Sequence, residues 1–474
     1  MITKVEQVIL THAGRYADKP AIIVGERKVT YKELAYLISI SANAFKNKYG
    51  LCEQNVVVLS AERSIEYIVA YLALHLLNVI VAPVDENIVD QNLDEIVKKT
   101  RAILVVGKRG ESVNSISYSD IFDNDFGKDE IIFPNTSEIA DIMFTSGTTG
   151  EPKGVVLSHA NLLASTRNIS GFIGNTETDI EVLALPLCHS FGLGRLRSSL
   201  FVGATVVIFN GFSNVKALFR TIKETNATGF AMVPSGWHII KLTSGNRISN
   251  FSSQLKYIEM GSSFLSAEEK NELAELLPQT RICMHYGLTE ASRSTFLEFH
   301  AGNLESVGKP IGDCEIMILN DNNNLSLNGE GEICIKGTHV IKEYWNNNTL
   351  TRESFVNGYF KTGDIGYISN GLLFLTGRIK DIINSGGKKI SALEIEEVSK
   401  KFDGVEDCAC IGVKSKMFGE EIKLFLVVSK EFNLDALKQY LKQTLEQYKQ
   451  PSFYEIVEQI PRTHNGKVKK YLLQ

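Results

Sequence analysis

The chain has no excess of basic residues: 50 Lys and Arg stand against 55 Asp and Glu, a formal net charge of −5. That argues against a nucleic-acid binder, which carries a basic patch. An anionic small ligand is still admissible, because local donors and a Mg²⁺ ion can neutralise it. Cysteine is sparse and unpatterned. The seven are Cys52, Cys188, Cys283, Cys314, Cys334, Cys408 and Cys410. Cys408 and Cys410 form C-x-C rather than C-x-x-C and no zinc spacing occurs, so the pattern reads as reduced thiols in a cytoplasmic protein. The N-terminus, MITKVEQVILTHAGRYADKP, lacks the apolar core of a signal peptide. Apolar runs are strand-sized and interrupted, so no membrane span is expected. Fixed-period repeats and low-complexity tracts are missing too.

What is present is ordinary for a globular protein: 44% hydrophobic and 22% charged residues over 474 positions, enough for two or three domains. Thr30 followed by Glu33 is a capping box, and behind it Leu34, Ile38, Ala42 and Phe45 recur at helical spacing. "NVVVL" (55–59), "VIVAPV" (79–84), "AILVV" (102–106), "EVLALP" (181–186), "GATVVIF" (203–209), "TGFAMVP" (228–234), "LKYIEMG" (255–261) and "RICMHYG" (281–287) read as short buried strands. Helix-length segments such as 64–77 and 266–277 lie between several of them, which is an α/β pattern. From about residue 305 strands alternate with turns, and roughly the last hundred residues form a unit of their own. The expected fold class is α/β: a large N-terminal domain of α/β layers plus a β subdomain, residues 1–379, and a small mobile α+β C-terminal domain, residues 380–474. The polar stretch 109–137 reads as an exposed excursion between strands.

"TSGTTGEPKG" (145–154) resembles a phosphate loop without matching G-x-x-x-x-G-K-[ST]. "IADIMFT" (139–145) enters it and "GVVLS" (154–158) leaves it, so it joins two strands, unlike the strand-to-helix phosphate sites. Consecutive hydroxyls and backbone N–H groups, with glycines allowing close approach, cradle anionic oxygens, and Lys153 adds a point charge. "HYGLTE" (285–290) ends a strand; Tyr286 can stack on a base, Thr289 can bond a phosphate oxygen, and Glu290 is of the type that holds Mg²⁺. Asp364, in "KTGDIG" (361–366), suits a ribose diol, and Arg378 in "GRIKD" suits an anion. "PRTHNGKVKK" (461–470) places Lys467 on a turn. Each has a bland reading as turn chemistry, a cap or a solvated charge; the weight lies in their joint order.

Those segments, in that order, resemble the core motifs of the adenylate-forming superfamily: acyl-CoA synthetases, firefly luciferase and the adenylation domains of peptide synthetases. The resemblance spans about residue 10 to the end. It implies ATP-dependent activation of a carboxylic acid to an acyl-adenylate with release of pyrophosphate, then transfer to coenzyme A or to a carrier protein's phosphopantetheine. It further implies that Thr145, Ser146, Gly147, Thr148, Thr149, Gly150 and Lys153 grip the ATP phosphates. Tyr286, with His285 and Gly287 beside it, would pack on adenine; Gly261, Ser262 and Ser263 would border adenine and the acyl pocket. Glu290 would hold the metal with Thr145 or Thr149, and Asp364 and Arg378 the ribose. Lys467 would serve adenylation. Lys380 falls at the family's inter-domain hinge, and "NSGGKKIS" (384–391), with Gly386 and Gly387, would line the thiol channel.

His189 in "LPLCHSFGLG" (185–194) resembles acyl- and aryl-CoA synthetases, whose histidine here lies near the carboxylate, rather than amino-acid-activating domains. Arg195, Arg197, Arg293, Trp237 and His238 depart from a fatty-acid pattern. An unpaired buried arginine is costly, so an arginine lining the pocket would want an anionic partner, and a polar acid with a second carboxylate or hydroxyls is one expectation. Surface or ion-paired arginines are the other, and two residues apart on a helix Arg195 and Arg197 point in different directions. No carrier domain follows the "NGK" turn, which suggests a free-standing enzyme; Lys388 and Lys389 are candidates for the coenzyme A phosphate. The partners expected are a small carboxylic acid and, as an open possibility, an acyl carrier protein in trans. Competing readings are a stand-alone enzyme loading an amino or hydroxy acid onto a carrier protein, and a catalytically inert nucleotide sensor.

Overall fold

The Thr30 capping box forms as the spacing predicts: Thr30 Oγ1 accepts from Glu33 N (3.2 Å) and Glu33 Oε2 accepts from Thr30 N (2.8 Å). The helix Tyr31–Asn43 follows, and Leu34, Ile38 and Ala42 are buried on one face, with Phe45 in the π turn beyond. The structure is a computed structural model that describes residues 2–108, 113–122, 138–146, 152–385, 388–415, 418–462 and 468–473.

Two large sheets carry the N-terminal part. In the first, Tyr257–Met260, Gly229–Met232, Ile180–Leu183, Thr205–Ile208 and Pro20–Val24 run parallel, with Arg281–Tyr286 beside Tyr257–Met260 and the antiparallel pair Thr295–Glu298 and Lys309–Pro310 at that edge. In the second, Ser115–Ile116, Leu104–Val106, Val56–Ser60, Ile80–Val84 and Ile139–Ser146 run parallel, and Pro152–Ser158 turns back against Ile139–Ser146. Parallel strands covered on both faces read as continuous Val/Ile/Leu runs, which is why their sequence signal is a run rather than an alternation. The stretch read as an exposed excursion needs correcting in part: Ser115–Ile116 is an edge strand, and Tyr118 and Ile121 in the turn behind it are buried, the Tyr118 hydroxyl donating to Ser60 O. The rest of that stretch lies outside the described residues.

The helices Ile65–Leu76 and Ser190–Phe201 are buried nearly all round. For Ile65–Leu76 the cause is composition, apolar on every face. For Ser190–Phe201 it is position between the sheets, and its two arginines reach opposite ways. Arg195 extends to Glu181 and Glu259 on the first sheet; Arg197 extends to Asp141 on the second (3.5 Å) and donates to Tyr71 Oη (2.6 Å). Asp141 also accepts from Tyr71 Oη (2.9 Å) and lies 3.0 Å from His75 Nε2, while His75 Nδ1 meets Glu6 Oε1 at 2.9 Å. This buried ionic chain ties the N-terminal helix Val5–Arg15, the helix Ile65–Leu76, the strand that leads into the glycine-rich loop, and the helix behind His189.

A third, antiparallel sheet holds Glu315–Leu319, Glu330–Lys336, Tyr359–Ser369 and Leu372–Arg378. Beyond the turn Ile379–Asp381, the strands Ile382–Ser385, Lys388–Ser391, Gly419–Val428, Val405–Ser415 and Phe453–Ile456 form a fourth sheet. With the helices Ala392–Lys400 and Leu434–Thr444 it encloses a core of its own, including Ile383, Ile395, Leu424 and Leu437. It meets the preceding sheet where Ser391 Oγ donates to Thr376 O (2.7 Å).

Candidate active site

The glycine-rich loop does span two antiparallel strands. Thr145 faces Lys153 and Ser146 faces Pro152 across the hairpin. Gly147, Thr148, Thr149 and Gly150 lie outside the described residues. The outgoing strand is pinned by the segment around Tyr344: Trp345 N donates to Gly154 O (2.8 Å), and Val155 bridges Tyr344. The same segment reaches the "YGLTE" motif. Tyr344 Oη donates to Glu290 Oε1 (2.8 Å), and Ile341 N donates to Glu290 O (2.9 Å). One tyrosine thus brings the root of the hairpin and the half-buried Glu290 together. Burial, and then the Glu290 carboxylate, raise the Tyr344 pKa, so it stays a donor. Its hydrogen bond occupies one carboxylate oxygen and leaves Oε2 for another partner. A carboxylate beside hydroxyl-bearing residues is a donor set that suits Mg²⁺.

Tyr286 is the second anchor. Its hydroxyl donates to Asp364 Oδ2 (2.8 Å), and Arg378 Nε contacts Asp364 Oδ1. Asp364 N donates to Thr362 Oγ1 (3.1 Å), and Gly363 N donates to Glu332 Oε1 (2.9 Å), so the turn is held before any ligand arrives. A carboxylate has about four lone-pair sites, and Asp364 keeps capacity for further donors. Burial raises the Tyr286 phenol well above its usual value, and Asp364 adds to that. Thr289 and Gly287 are half-buried in the same turn as Glu290.

Gly261 follows the strand Tyr257–Met260, and a Cβ there would collide with the imidazole edge of His285. Ser262 sits at φ +75°, next to Ser263. His285 Nδ1 lies 2.7 Å from Glu259 Oε1, and its ring meets Phe191 edge-on at 4.6 Å. Arg293 stands on the other side: its guanidinium lies 4.9 Å from the Phe191 ring and donates to Ser190 O (2.9 Å) and Phe191 O (3.0 Å). These contacts lock the start of the helix Ser190–Phe201 onto the "HYGLTE" segment, and His189, half-buried, is that helix's N-cap residue.

The arginines therefore do not line the pocket for a second carboxylate. Arg195 is fully buried against Glu181, with Nε–Oε1 at 2.8 Å, and against Glu259 at 3.1 Å; Arg197 is taken by Asp141 and Tyr71; Arg293 Nε meets Glu259 at 3.2 Å. Burial by itself would raise Glu259, but Arg293, Arg195 and His285 hold it far below the carboxylate range. His238 is an exposed residue paired with Glu269 (2.6 Å), and Trp237 is wholly buried. Sequence reasoning missed Glu259, Glu181 and Tyr344. The signal for the first was a lone acid inside the apolar strand "YIEM".

In the C-terminal part, Lys380 sits in the turn between the third and fourth sheets, and Lys388 Nζ lies 3.8 Å over the Tyr448 ring. Lys467, Gly386 and Gly387 lie outside the described residues, as does the side chain of Lys389. The segment bearing Lys467 is bounded by a bridge between Arg462 and Val468, with Arg462 Nη2 on Asp407 (2.6 and 2.8 Å) and Lys470 on Glu396 (2.9 Å). Among the described residues no helix is long and apolar enough to cross a membrane.

The profile of the AMP-binding enzyme family matches residues 9–345, and that of its C-terminal domain matches residues 394–467. An oxalate–CoA ligase of Arabidopsis thaliana is 29% identical, covering 97% of this chain and 96% of that protein. A 2-succinylbenzoate–CoA ligase of Staphylococcus aureus is 30% identical, covering 95% and 96%. The solved o-succinylbenzoate coenzyme A synthetase of Bacillus subtilis, in complex with its acyl-adenylate intermediate, superposes with a TM-score of 0.88 at 26% identity, covering 98% of this chain and 97% of that one. The same enzyme has been solved with ATP and a magnesium ion. The chain belongs to the AMP-binding enzyme family and is an AMP-forming acid–thiol ligase of the acyl-CoA synthetase kind.

Proposed function

We propose that this enzyme activates a small carboxylic acid with ATP and passes the acyl group to the thiol of coenzyme A, using the residues assembled around Tyr286, Glu290 and Asp364. In the first half-reaction a carboxylate oxygen bonds to the α-phosphorus and the bond to pyrophosphate breaks. In the second the thiol, losing its proton, bonds to the acyl carbon and AMP leaves. A carboxylate is a poor acyl donor because oxide would have to depart; adenylation supplies a stable leaving group. Two anions meet in the first step, so donors aimed at the developing charge carry the catalysis.

The observation that carries this reading is the joining of the hairpin root to Glu290 through Tyr344, beside the Tyr286–Asp364–Arg378 group. In this assignment Thr145, Ser146, Gly147, Thr148, Thr149, Gly150 and Lys153 take the phosphates. Tyr286 packs on adenine, with Gly261, Ser262 and Ser263 beside it, and Asp364 and Arg378 take the ribose. Glu290, with Thr145, would hold Mg²⁺, which when bound neutralises phosphate charge. Thr289 bonds a phosphate oxygen and His189 adjoins the acid's carboxylate. Lys467 offsets charge in adenylation, and Lys380 is the pivot between residues 1–379 and 380–474. The coenzyme A ligases among its relatives favour coenzyme A over a carrier protein as acceptor. Seven free cysteines suit a reducing, cytoplasmic setting.

ATP–pyrophosphate exchange across fatty, aryl, dicarboxylic, hydroxy and amino acids tests the reading. Exchange driven by one group, followed by thioester formation with coenzyme A, is the expected result. Mg-ATP binding without exchange for any acid would leave a nucleotide sensor instead.

A further inference from the structure

Tyr344 is held on every side. It is buried, and its backbone N donates to Thr351 Oγ1 (3.0 Å). Val155 bridges it, Trp345 N donates to Gly154 O (2.8 Å), and Trp345 Nε1 donates to Lys99 O (3.1 Å). From that fixed position its hydroxyl donates to Glu290 Oε1 at 2.8 Å. Glu290 is held through its main chain as well: Ile341 N donates to Glu290 O (2.9 Å), and Ala291 bridges Val340. The segment 340–345 thus sets both where this carboxylate stands and which of its oxygens is left for another partner.

That restriction bears on the choice between cations. Mg²⁺ is small, demands near-octahedral geometry and keeps several waters, so it asks little of any one carboxylate. Ca²⁺ is larger, takes about six to eight oxygens and readily draws on both oxygens of one carboxylate. Selectivity between the two follows from how many ligand atoms a site offers and how freely they adjust. With Oε1 committed to Tyr344, Glu290 offers Oε2. Giving both oxygens to one ion would break a hydrogen bond to a charged group, and Tyr344, anchored by its backbone and by Trp345, is not free to follow.

We propose that Tyr344 is a positioning residue that makes the nucleotide site select Mg²⁺ over Ca²⁺, by limiting Glu290 to one free carboxylate oxygen. The proposal rests on the reading above in which Glu290 holds the metal. A phenylalanine at 344 would keep the buried ring and release Oε1, so the carboxylate would be free to give both oxygens to the larger ion.

The test is calorimetric binding of ATP to the enzyme, with no acid present, in excess Mg²⁺ or excess Ca²⁺. Wild type should bind Mg-ATP at least about tenfold more tightly than Ca-ATP. In Tyr344→Phe that ratio should fall by about tenfold, the worth of one hydrogen bond to a charged group. A residue that merely held the fold would weaken both complexes alike, so an unchanged ratio in Tyr344→Phe would overturn the proposal. Equal affinity for the two complexes in wild type would overturn it with no variant needed, so a Tyr344 variant that misfolds does not shield the idea. Glu290→Gln separates this proposal from its parent. If that variant bound Mg-ATP as tightly as wild type, Glu290 would leave the metal site and the role of Tyr344 would go with it. Weakened binding there, beside an unchanged ratio in Tyr344→Phe, would sink the role of Tyr344 alone.

Discussion

Asp364 shows how much one carboxylate organises. It receives the Tyr286 hydroxyl and Arg378, so removing its charge loosens both side chains and, with them, the adenine and ribose contacts proposed for this group. Hydrogen bonds to charged groups are worth about 1.5–3 kcal/mol. Asp364→Asn should therefore raise the KM for ATP by about 10- to 100-fold, with a smaller change in kcat, in steady-state exchange assays. Lys467→Ala makes a separate prediction. Adenylation should slow by orders of magnitude while thioester formation from pre-formed acyl-adenylate is spared, read by single-turnover kinetics on each half-reaction. If both half-reactions ran at wild-type rates, the role assigned to Lys467 would fall. Asp364, Tyr286 and Glu290 were legible as motif residues because such chemistry needs those side chains at fixed turns. Tyr344 was not, because nothing local to "EYWN" says that its hydroxyl ends on Glu290.

Among the elements, the helix Ser190–Phe201 is the one to perturb. Its arginines neutralise buried carboxylates on two different sheets, and removing one partner of a buried pair costs about 3–5 kcal/mol because a lone charge is left behind. Arg195→Leu and Arg197→Leu should each lower the denaturation midpoint markedly and leave the ranking of acids in the exchange panel unchanged. A changed ranking with undiminished stability would restore them to the pocket. The sequence already required the two side chains to diverge, since residues two apart on a helix do not share a face. It could not say what they meet, because Glu181, Glu259 and Asp141 come from strands that only the sheet order brings alongside.

The molecule as a whole carries a pH dependence through its buried chain. Burial opposes charge on His75, but Asp141 and Glu6 outweigh it and raise its pKa from 6.5 to about 9. A raised histidine contributes stability that is full below 6.5, declines as pH rises, and is gone above about 9. Burial likewise opposes charge on Glu6, yet His75 brings it from 4.5 down to about 2, so its contribution is full above 4.5 and is lost as pH falls toward 2. The pair together should be most stabilising between about 4.5 and 6.5. Unfolding midpoints measured from pH 5 to 9.5 should fall on the alkaline side, and His75→Gln should flatten that limb. An alkaline limb of the same slope in the variant would refute this source.

Local pattern in the chain was enough to read most of the buried strands, the strand-to-strand setting of the glycine-rich loop and the family, though not the edge strand Ser115–Ile116. Those rest on short-range periodicity, turn chemistry and motif order, all carried by neighbours in the chain. Only the packed structure could show that the arginines are spent on buried acids and that Tyr344 ties the loop hairpin to Glu290. Each depends on which groups, distant in sequence, share a low-dielectric space, where an unpaired charge is too costly to leave and its partner is fixed by packing.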